Sequence, residues 1–451
     1  MDPSLLSKLH GKGELVVRLK KCLYGLRQSP KVWFDTVSDT LITRGGFTRC
    51  KEEQCMFHKR EADGSLTMLV LFVDDMLMIS KSRKTRDFIY NVLVKQFEEV
   101  TRKTGDTLSF LGMKISRNKD NHSITANLEG FIDQTDQLLE VQLENEFGNS
   151  PWNGFQGDNL SNKVNQDNLD NMDINMLFQE VQHANLRAPS PFSTKFGTTD
   201  TRFIPDSDIE DLSVLNPNIE AERITEFRKL VMKAMYIAIK ARPDVLCGIV
   251  HLSGKQLSPN DEDFQNIRRI LKYLSNTRSK TLRFISGKKL QMLIFCDASH
   301  NCYVGGMGHL GIVIYLVKGS SPIYWCSKRM TQITLNTLDT EAVVLSAGAK
   351  HALALRNTLR EFSVEFDDVP ILFEDQEKLV EKCNAPRIVK TAKTRFSNQA
   401  WMHVHDLVKS GEVKVVQVST LDQRADGLTK PLVGKLFDNS DRFFFPAEDA
   451  V

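Results

Sequence analysis

Two adjacent carboxylates interrupt the most apolar part of the sequence. The stretch "SLTMLVLFV" is followed by Asp74 and Asp75 and then by "MLMIS". Short runs of Val, Leu and Phe favour β-strands, so we predict strands over 66–73 and 76–80 with both acids at the tip of a tight hairpin. An exposed turn is the alternative, since Asp is common in turns. The apolar residues on both sides favour a scaffold that presents a site.

Acids that close together repel each other unless a cation neutralises them. Hard divalent ions such as Mg²⁺ take oxygen ligands and keep positions open for phosphates. Two such ions, about 3.5–4 Å apart, can activate an attacking hydroxyl and stabilise a leaving group. The hairpin therefore predicts a metal-dependent site for phosphate chemistry.

Three more acids follow predicted strands in the last third of the chain. Asp297 ends "LQMLIFCDA", Asp375 ends "VPILFED", and Asp426 lies in "DQRADGLTKPL", after the strand "EVKVVQVST". Any one of them alone is commonly a turn residue or a helix cap. Acids at the ends of separate strands of one sheet can converge, so we predict a second metal centre there.

The chain has 451 residues, which is enough for two or three compact units. Helix and strand patterns alternate over 14–140. An Asn-rich segment covers 141–190, helical connector sequence covers 191–285, and a mixed α/β pattern covers 286–437. We predict an α/β (α+β) fold class with these four blocks.

Apolar spacing predicts several helices. "SPKVWFDTVSDTLITRG" forms a helix that ends near Gly45, and two helices separated by Pro243 cover 226–255. Another helix covers "DEDFQNIRRILKYLSNT". "SRKTRDFIYNVLVKQFEEV" is predicted as a helix whose apolar face contains Phe88, Val92, Val94 and Phe97.

The segment 141–190 has a different composition. Ten of its fifty residues are Asn, and it carries seven acidic residues against two basic ones. Such a segment cannot bury enough apolar surface to offset the entropy of ordering it. We predict a flexible insertion.

Composition limits the compartment and the partners. Hydrophobic residues make up 41% and charged residues 26%, as in ordinary globular proteins. Residues 1–49 hold nine Lys/Arg against four Asp/Glu, which fits either a phosphate backbone or a solvated basic face. The eight cysteines show no CxxC spacing, and no secretory signal or membrane-span pattern is found. We therefore expect no zinc and a reducing compartment inside the cell.

The motifs resemble a known family. "KKCLYGLRQSPKVWFDTV", "LVLFVDDMLMIS" and "LSFLGMKISR" resemble the reverse transcriptase of Ty1/copia-type LTR retrotransposons. "FRKLVMKAMYIAIKARPDVLCGIVHLS" resembles the helix pair that follows this polymerase. "FCDAS", "YWCSKRMTQITLNTLDTEA", "FEDQ" and "RADGLTKPL" resemble its RNase H domain. The resemblance covers roughly residues 15–437.

The resemblance implies an RNA-directed DNA polymerase with a partial palm and thumb, followed by RNase H. Its partners would be an RNA template, a DNA primer, dNTPs and an RNA–DNA hybrid, with no membrane, and its cofactor two Mg²⁺ or Mn²⁺ ions. It places the protein in a cytoplasmic virus-like particle or the nucleus. "FLGMKI" (110–115) would be the strand that grips the primer. The implied catalytic metal ligands are Asp74, Asp75, Asp297, Asp375 and Asp426, and the implied nucleotide- and template-binding residues are Gly25, Arg27 and Gln28.

Two departures from the family pattern predict impaired catalysis. The family's further palm Asp, in a stretch resembling "DVKTAFLNG", has no match in the residues before "LYGLRQ". The family's RNase H helix begins TEAE, with the second Glu as ligand, where this chain has Val343. Glu341 lies two residues away, about 200° around a helix, so we expect it to point elsewhere.

Two other functions remain open at this point. The chain could be a non-catalytic remnant that binds nucleic acid. It could also be an unrelated metal-dependent nuclease that uses only the last block, with Asp297, Asp375 and Asp426 as ligands.

Overall fold

The computed structural model describes residues 25–97, 99–135, 217–286, 290–303, 305–387 and 398–447. Two compact units divide the chain between Lys103 and Thr104. Both combine helices with β-sheet, which confirms the predicted α/β (α+β) class. The predicted flexible insertion lies outside the described residues, and the boundaries of the four blocks stay predictions.

The first unit contains two helices and a four-stranded sheet among its described residues. Its strands pair antiparallel in sequential order β1-β2-β3-β4. The first helix continues through a π-helical segment, Thr40–Arg44, and stops at Gly45 as predicted. The elements are α1 (Ser29–Asp39), β1 (Thr48–Arg49), β2 (Met56–Arg60), β3 (Leu66–Phe72), β4 (Asp75–Ile79) and α2 (Arg83–Phe97).

The predicted apolar face of α2 is correct for Phe97, which packs against the core of the first unit, and wrong for Phe88. The buried residues of this helix are Thr85, Ile89 and Leu93, which lie one turn apart on a single row. Ile89 and Leu93 pack into the same core as Leu69 of β3, whereas Phe88 is 47% exposed. A helix meets a sheet through one i, i+4 row, and Phe88 lies off that row.

The second unit begins with a four-stranded antiparallel sheet. Its strands are β5 (Thr107–Phe110), β6 (Met113–Asn118), β7 (Ser123–Asn127) and β8 (Leu282–Ile285), in that order. The prediction of "FLGMKI" as one strand is wrong. Leu111 and Gly112, with φ of 52° and 72°, form a two-residue turn between β5 and β6. A hairpin turn with two left-handed residues matches the twist of its flanking strands.

Three helices and a 3₁₀ turn lie between β7 and β8 in the described part of the chain. They are α3 (Pro217–Lys240), the turn Pro243–Val245, α4 (Leu246–Ser253) and α5 (Asp261–Asn276). The predicted break at Pro243 is confirmed. At the start of α5 the Asn260 side chain accepts from the backbone of Asp263, whose carboxylate accepts from Asn260 in return, and this satisfies two free donors.

A buried ion pair fixes the end of α3. The Arg242 guanidinium donates to both oxygens of Asp244, at 2.9 and 2.7 Å, and both residues are almost fully buried. Asp244 also accepts from the Tyr273 hydroxyl of α5 at 2.9 Å. Lys280 continues the chain of contacts to Asp441 at 2.6 Å. A buried charge without its partner is strongly destabilising, so these groups require one another.

A five-stranded mixed sheet follows, as predicted. Its order is β11-β10-β9-β12-β13, with β9, β10 and β11 antiparallel and β12 parallel to both β9 and β13. Its elements are β9 (Leu293–Ser299), β10 (Met307–Tyr315), β11 (Tyr324–Ile333), α6 (Thr337–Glu361), β12 (Ile371–Glu374), α7 (Glu377–Asn384), α8 (Asn398–Lys409), β13 (Lys414–Gln417) and α9 (Gly434–Phe444).

Helices cover both faces of this sheet. On one face α6, α7 and α8 pack against residues such as Ile294 and Ile312. On the other face, α3, α4, α5 and α9 pack against Phe295 and Val313. The alternation follows from the two-residue period of a strand.

Gly348 allows α6 to lie close to β9. A methyl group at Gly348 would lie 2.3 Å from the Sγ of Cys296, which is shorter than any real contact. We expect Gly348→Ala to lower the free energy of unfolding by about 1–3 kcal/mol, because overpacking outweighs the better helix propensity of Ala. Urea denaturation measures this change.

Gly130→Ala is the matched control. A methyl group there would meet no atom within 4 Å, so its stability should stay close to that of the parent chain. Equal stability of the two variants would contradict the close approach of α6 to β9.

Candidate metal centre

Three carboxylates converge at one edge of the five-stranded sheet. One oxygen each from Asp297, Glu341 and Asp375 lies within 4.8 Å of the other two. Asp297 is 2% exposed, while Asp375 is half-buried. No other group of three or more such ligands is found among the described residues.

Strand register brings the two aspartates together. Strands β9 and β12 are parallel, with Phe295 opposite Phe373. Asp297 and Asp375 each lie two residues further along, so they occupy matching positions at the same end of neighbouring strands. The predicted convergence of these two acids agrees with this geometry.

The expectation that Glu341 points elsewhere is wrong. Helix α6 presents Glu341 to the two aspartates, and Val343 packs against the hydrophobic core instead. Glu341 precedes Gly348 by seven residues, so the two lie within about 20° of each other around the helix. Since Gly348 faces β9, Glu341 faces it too. The spacing to this glycine was a signal that the comparison with TEAE did not use.

A polar tie holds the start of α6 to the end of β9. The Nδ1 atom of His300 lies 2.8 Å from the Oγ1 of Thr340, and Thr334 lies 2.7 Å from the same hydroxyl. Asn336 caps the helix by accepting from the backbone N–H of Asp339. These contacts fix the first turns of α6, and with them Glu341, beside Asp297.

Burial and mutual repulsion hold protons on this cluster. Burial raises the pKa of Asp297 to about 6, with Asp426 and Asp375 adding to the shift, while Lys430 and the Thr429 hydroxyl oppose it. Asp297 ionises less readily because ionising it would add a negative charge to a dry, acidic site.

The pKa values of Glu341 and Glu374 are also raised. Burial raises the pKa of Glu341 to about 10, and Glu374, Asp297 and Asp375 add to the shift. Glu374 is fully buried beside the cluster, and its pKa is raised well above the usual range, mainly by burial. The backbone N–H of Gln376 donates to one of its oxygens at 3.0 Å.

Asp426 lies beside the cluster but outside the group of three. It begins the 3₁₀ turn Asp426–Leu428, and its carboxylate pairs with the Lys430 ammonium at 2.5 Å. The same ammonium lies 3.7 Å from Asp297. The Thr429 hydroxyl donates to Asp297. Sequence reasoning had singled out Asp426 and had missed Thr429 and Lys430.

The donor set fits a hard divalent cation. One oxygen each of Glu341 and Glu374 is buried and accepts no hydrogen bond, although buried polar atoms are normally satisfied. Carboxylate oxygens are the ligands that Mg²⁺ and Mn²⁺ prefer. Asp297, Glu341 and Asp375 would hold the ion, with Glu374 beside them.

The first unit presents Asp74 and Asp75 at a hairpin tip. Phe72 pairs with Asp75, so Val73 and Asp74 form the loop between β3 and β4, and both acids are exposed. The Trp33 indole donates to the Val73 carbonyl at 2.6 Å. Val73 has φ of 54°, an unfavourable value for a β-branched residue.

The residues of "LYGLRQ" lie just before α1. Arg27 and Gln28 are exposed, and Gly25 has φ of 92°, a conformation that glycine adopts without strain. The helix that follows them, α1, contacts the hairpin tip through Trp33. Within the described part of the chain, no third metal-ligating side chain joins Asp74 and Asp75.

Comparisons with known proteins find sequence similarity along both units. Residues 2–147 match the family described as reverse transcriptase (RNA-dependent DNA polymerase). The Pol polyprotein of transposon RE2 from Arabidopsis thaliana is 24% identical over 438 residues, which cover 95% of this chain. The Gag-Pol polyprotein of transposon Ty1-DR1 from Saccharomyces cerevisiae is 23% identical over 441 residues, again 95% of the chain. The chain is a relative of the copia-type Pol polyproteins.

This copia-type chain spans about a quarter of the length of those relatives, 25% and 22% of the two named. Among solved structures, it is similar to the RNase H domain of a Mycobacterium tuberculosis protein. That match has 16% identity, covers 34% of this chain and 96% of the other, and has a TM-score of 0.25. A foamy virus protease–reverse transcriptase matches with 14% identity, covering 91% of this chain and 62% of the other, with a TM-score of 0.23.

None of the cysteines in the described part of the chain forms a disulfide. None of the described helices is both long and apolar enough to cross a membrane.

The raised pKa values predict that the metal-free chain loses stability as pH rises. The pKa of Asp297 is near 4 in the unfolded chain and about 6 in the folded one, and that of Glu341 is about 4.3 in the unfolded chain and about 10 in the folded one. Between these values the unfolded chain binds fewer protons than the folded one. The two carboxyl groups therefore stabilise the folded state fully below pH 4, and this stabilisation declines as pH rises. We expect a lower melting temperature at pH 8 than at pH 5 in EDTA.

Glu341→Gln is the control for this pH dependence. It keeps the shape of the side chain and removes its ionisation, so the decline between pH 6 and pH 8 should become shallower. An unchanged dependence of melting temperature on pH would show that the pKa of Glu341 is not raised by the cluster.

Proposed function

We propose that the second unit is a metal-dependent ribonuclease that cleaves the RNA strand of an RNA–DNA hybrid, within a copia-type Pol polyprotein. The observation that carries this proposal is the convergence of Asp297, Glu341 and Asp375 at one sheet edge. Copia-type relatives that align along nearly the whole chain support it.

The carboxylates would hold Mg²⁺ or Mn²⁺, with Asp426 at the rim of the site. A divalent ion bound there supplies Lewis-acid activation of water and of the scissile phosphate. A cation also favours the ionised carboxylates, so its binding would release the protons held by Asp297 and Glu341. Asp375 is half-buried whereas Asp297 is buried, so a phosphate backbone would reach the ion past Asp375.

Glu341 favours catalysis over a remnant that only binds. Val343 stands where the family has its glutamate ligand, which predicted an impaired nuclease. Glu341 supplies the third carboxylate from the same helix. A nuclease that used only Asp297, Asp375 and Asp426 would lack this ligand.

Cleavage of a labelled RNA–DNA hybrid tests the proposal. The parent chain should cleave the RNA strand with Mg²⁺ or Mn²⁺, and Glu341→Gln should slow cleavage about 100-fold or more, because metal-ion stabilisation contributes several kcal/mol. Cleavage at the parent rate by this variant would contradict the role of Glu341.

Val343→Glu separates the two possible ligand positions. In the Glu341→Gln background, Val343→Glu should not restore cleavage, since residue 343 packs against the core. Restored cleavage would place the ligand at residue 343, as the family pattern first implied.

We also propose that the first unit belongs to a polymerase palm. Asp74 and Asp75 would bind the metal, and Gly25, Arg27 and Gln28 would contact dNTP and template. The exposed pair at a hairpin tip, held by Trp33, and the reverse transcriptase match support this. The RNA template and DNA primer are the corresponding partners, and a virus-like particle or the nucleus stays a prediction.

Primer extension on an RNA template tests the palm. Because no stretch of this chain matches the family's further palm Asp, the parent chain should extend a primer weakly or not at all with Mg²⁺ or Mn²⁺. Any extension should be lost in Asp74→Asn/Asp75→Asn, which removes both acids, while hybrid cleavage by the same variant should be unchanged. Extension that persists in the double variant would contradict the role of Asp74 and Asp75, and strong extension by the parent chain would contradict the predicted impairment.

A further inference from the structure

Lys430 has no role in the chemistry described above, yet its ammonium is tied to the acidic site. It lies 2.5 Å from one oxygen of Asp426 and 3.7 Å from Oδ2 of Asp297. Its side chain is 47% exposed, so it extends over the rim of the cluster. The charge of this lysine therefore stands between the two aspartates.

The fold delivers Lys430 to this place through a close backbone approach. Gly311 of β10 lies opposite Asp297 in the sheet. A methyl group at Gly311 would lie 2.7 Å from Thr429 and 3.0 Å from the Ala425 carbonyl, so only glycine leaves room for this segment. Thr429 then donates to Asp297, and the next residue places its ammonium beside the same carboxylate.

Two cation positions with different surroundings result. Asp297, Glu341 and Asp375 form one, where one oxygen of Glu341 accepts no hydrogen bond. The space between Asp297 and Asp426 forms the other, and the ammonium already balances the charge there. A divalent ion in that space would lie within a few ångströms of a fixed positive charge, which strongly disfavours it.

We propose that Lys430 is a built-in counter-ion that takes the place of one of two metal ions, so that the cluster binds a single divalent cation. This inference rests on the proposed metal-dependent nuclease. Lys430 is thus a positioning residue that sets how many metal ions the site accepts and holds Asp426 at the rim.

Manganese titration tests the number of ions. Every chain carries Asp74→Asn and Asp75→Asn, which removes the hairpin carboxylates, and Mn²⁺ binding is measured by calorimetry and by the electron paramagnetic resonance of free Mn²⁺. The background chain should bind one ion at the cluster. Lys430→Met, which keeps length without charge, should bind a second ion or bind Mn²⁺ at least about tenfold more tightly.

Two variants control for charge and for general surface effects. Lys430→Arg keeps the positive charge and should bind one ion, as the background does. Lys435→Met removes an exposed lysine at the start of α9, five residues after Lys430, and should also leave binding unchanged. Melting temperatures with and without Mn²⁺ show whether each variant is folded, and Lys430→Gln replaces the Met variant if that one is not.

The outcomes separate this inference from the proposal on which it rests. Two ions in the background chain, or one ion with unchanged affinity in both neutral variants, would overturn the role of Lys430 alone. Binding in the background that is the same as in Asp297→Asn would show that the cluster holds no metal, and would overturn the proposed function itself.

Discussion

Repulsion among buried carboxylates is the constraint on which the second unit depends. Three acids lie within 4.8 Å of one another, and Glu374 is buried beside them. Such a group is tolerated only if protons, a neighbouring cation or a bound metal balances its charge. The raised pKa values of Asp297 and Glu341 and the position of Lys430 are two forms of that balance. A site held in this state is prepared for a cation.

Close packing holds the acids in place despite their repulsion. Gly348 lets α6 approach β9, and Gly311 lets the segment after Ala425 lie on β10. Parallel pairing of β9 and β12 then places two aspartates at matching positions. Each contact lies on a different element, so the geometry of the site depends on the packing of the whole sheet.

The hairpin of the first unit shows the opposite environment. Asp74 and Asp75 are exposed, and the nearby strain lies in the backbone of Val73, whose carbonyl Trp33 holds. Strained turns persist only where the surroundings fix them, and they are frequent at functional sites. The two acidic sites of this chain therefore differ in burial and in how their charge is balanced.

The sequence by itself determined the element types, the α/β class, the hairpin at Asp74 and the pairing of Asp297 with Asp375, because these follow from local apolar patterns and from strand ends. It did not determine which side of a helix faces the sheet. For that reason the position of Phe88 on α2 and the orientation of Glu341 were predicted wrongly. Those features, and the meeting of Lys430 with Asp297, were decided only by tertiary structure. Glu341 and Lys430 reach Asp297 through close approaches at Gly348 and Gly311 between segments distant in sequence, whereas the face of α2 depends on its packing against β3.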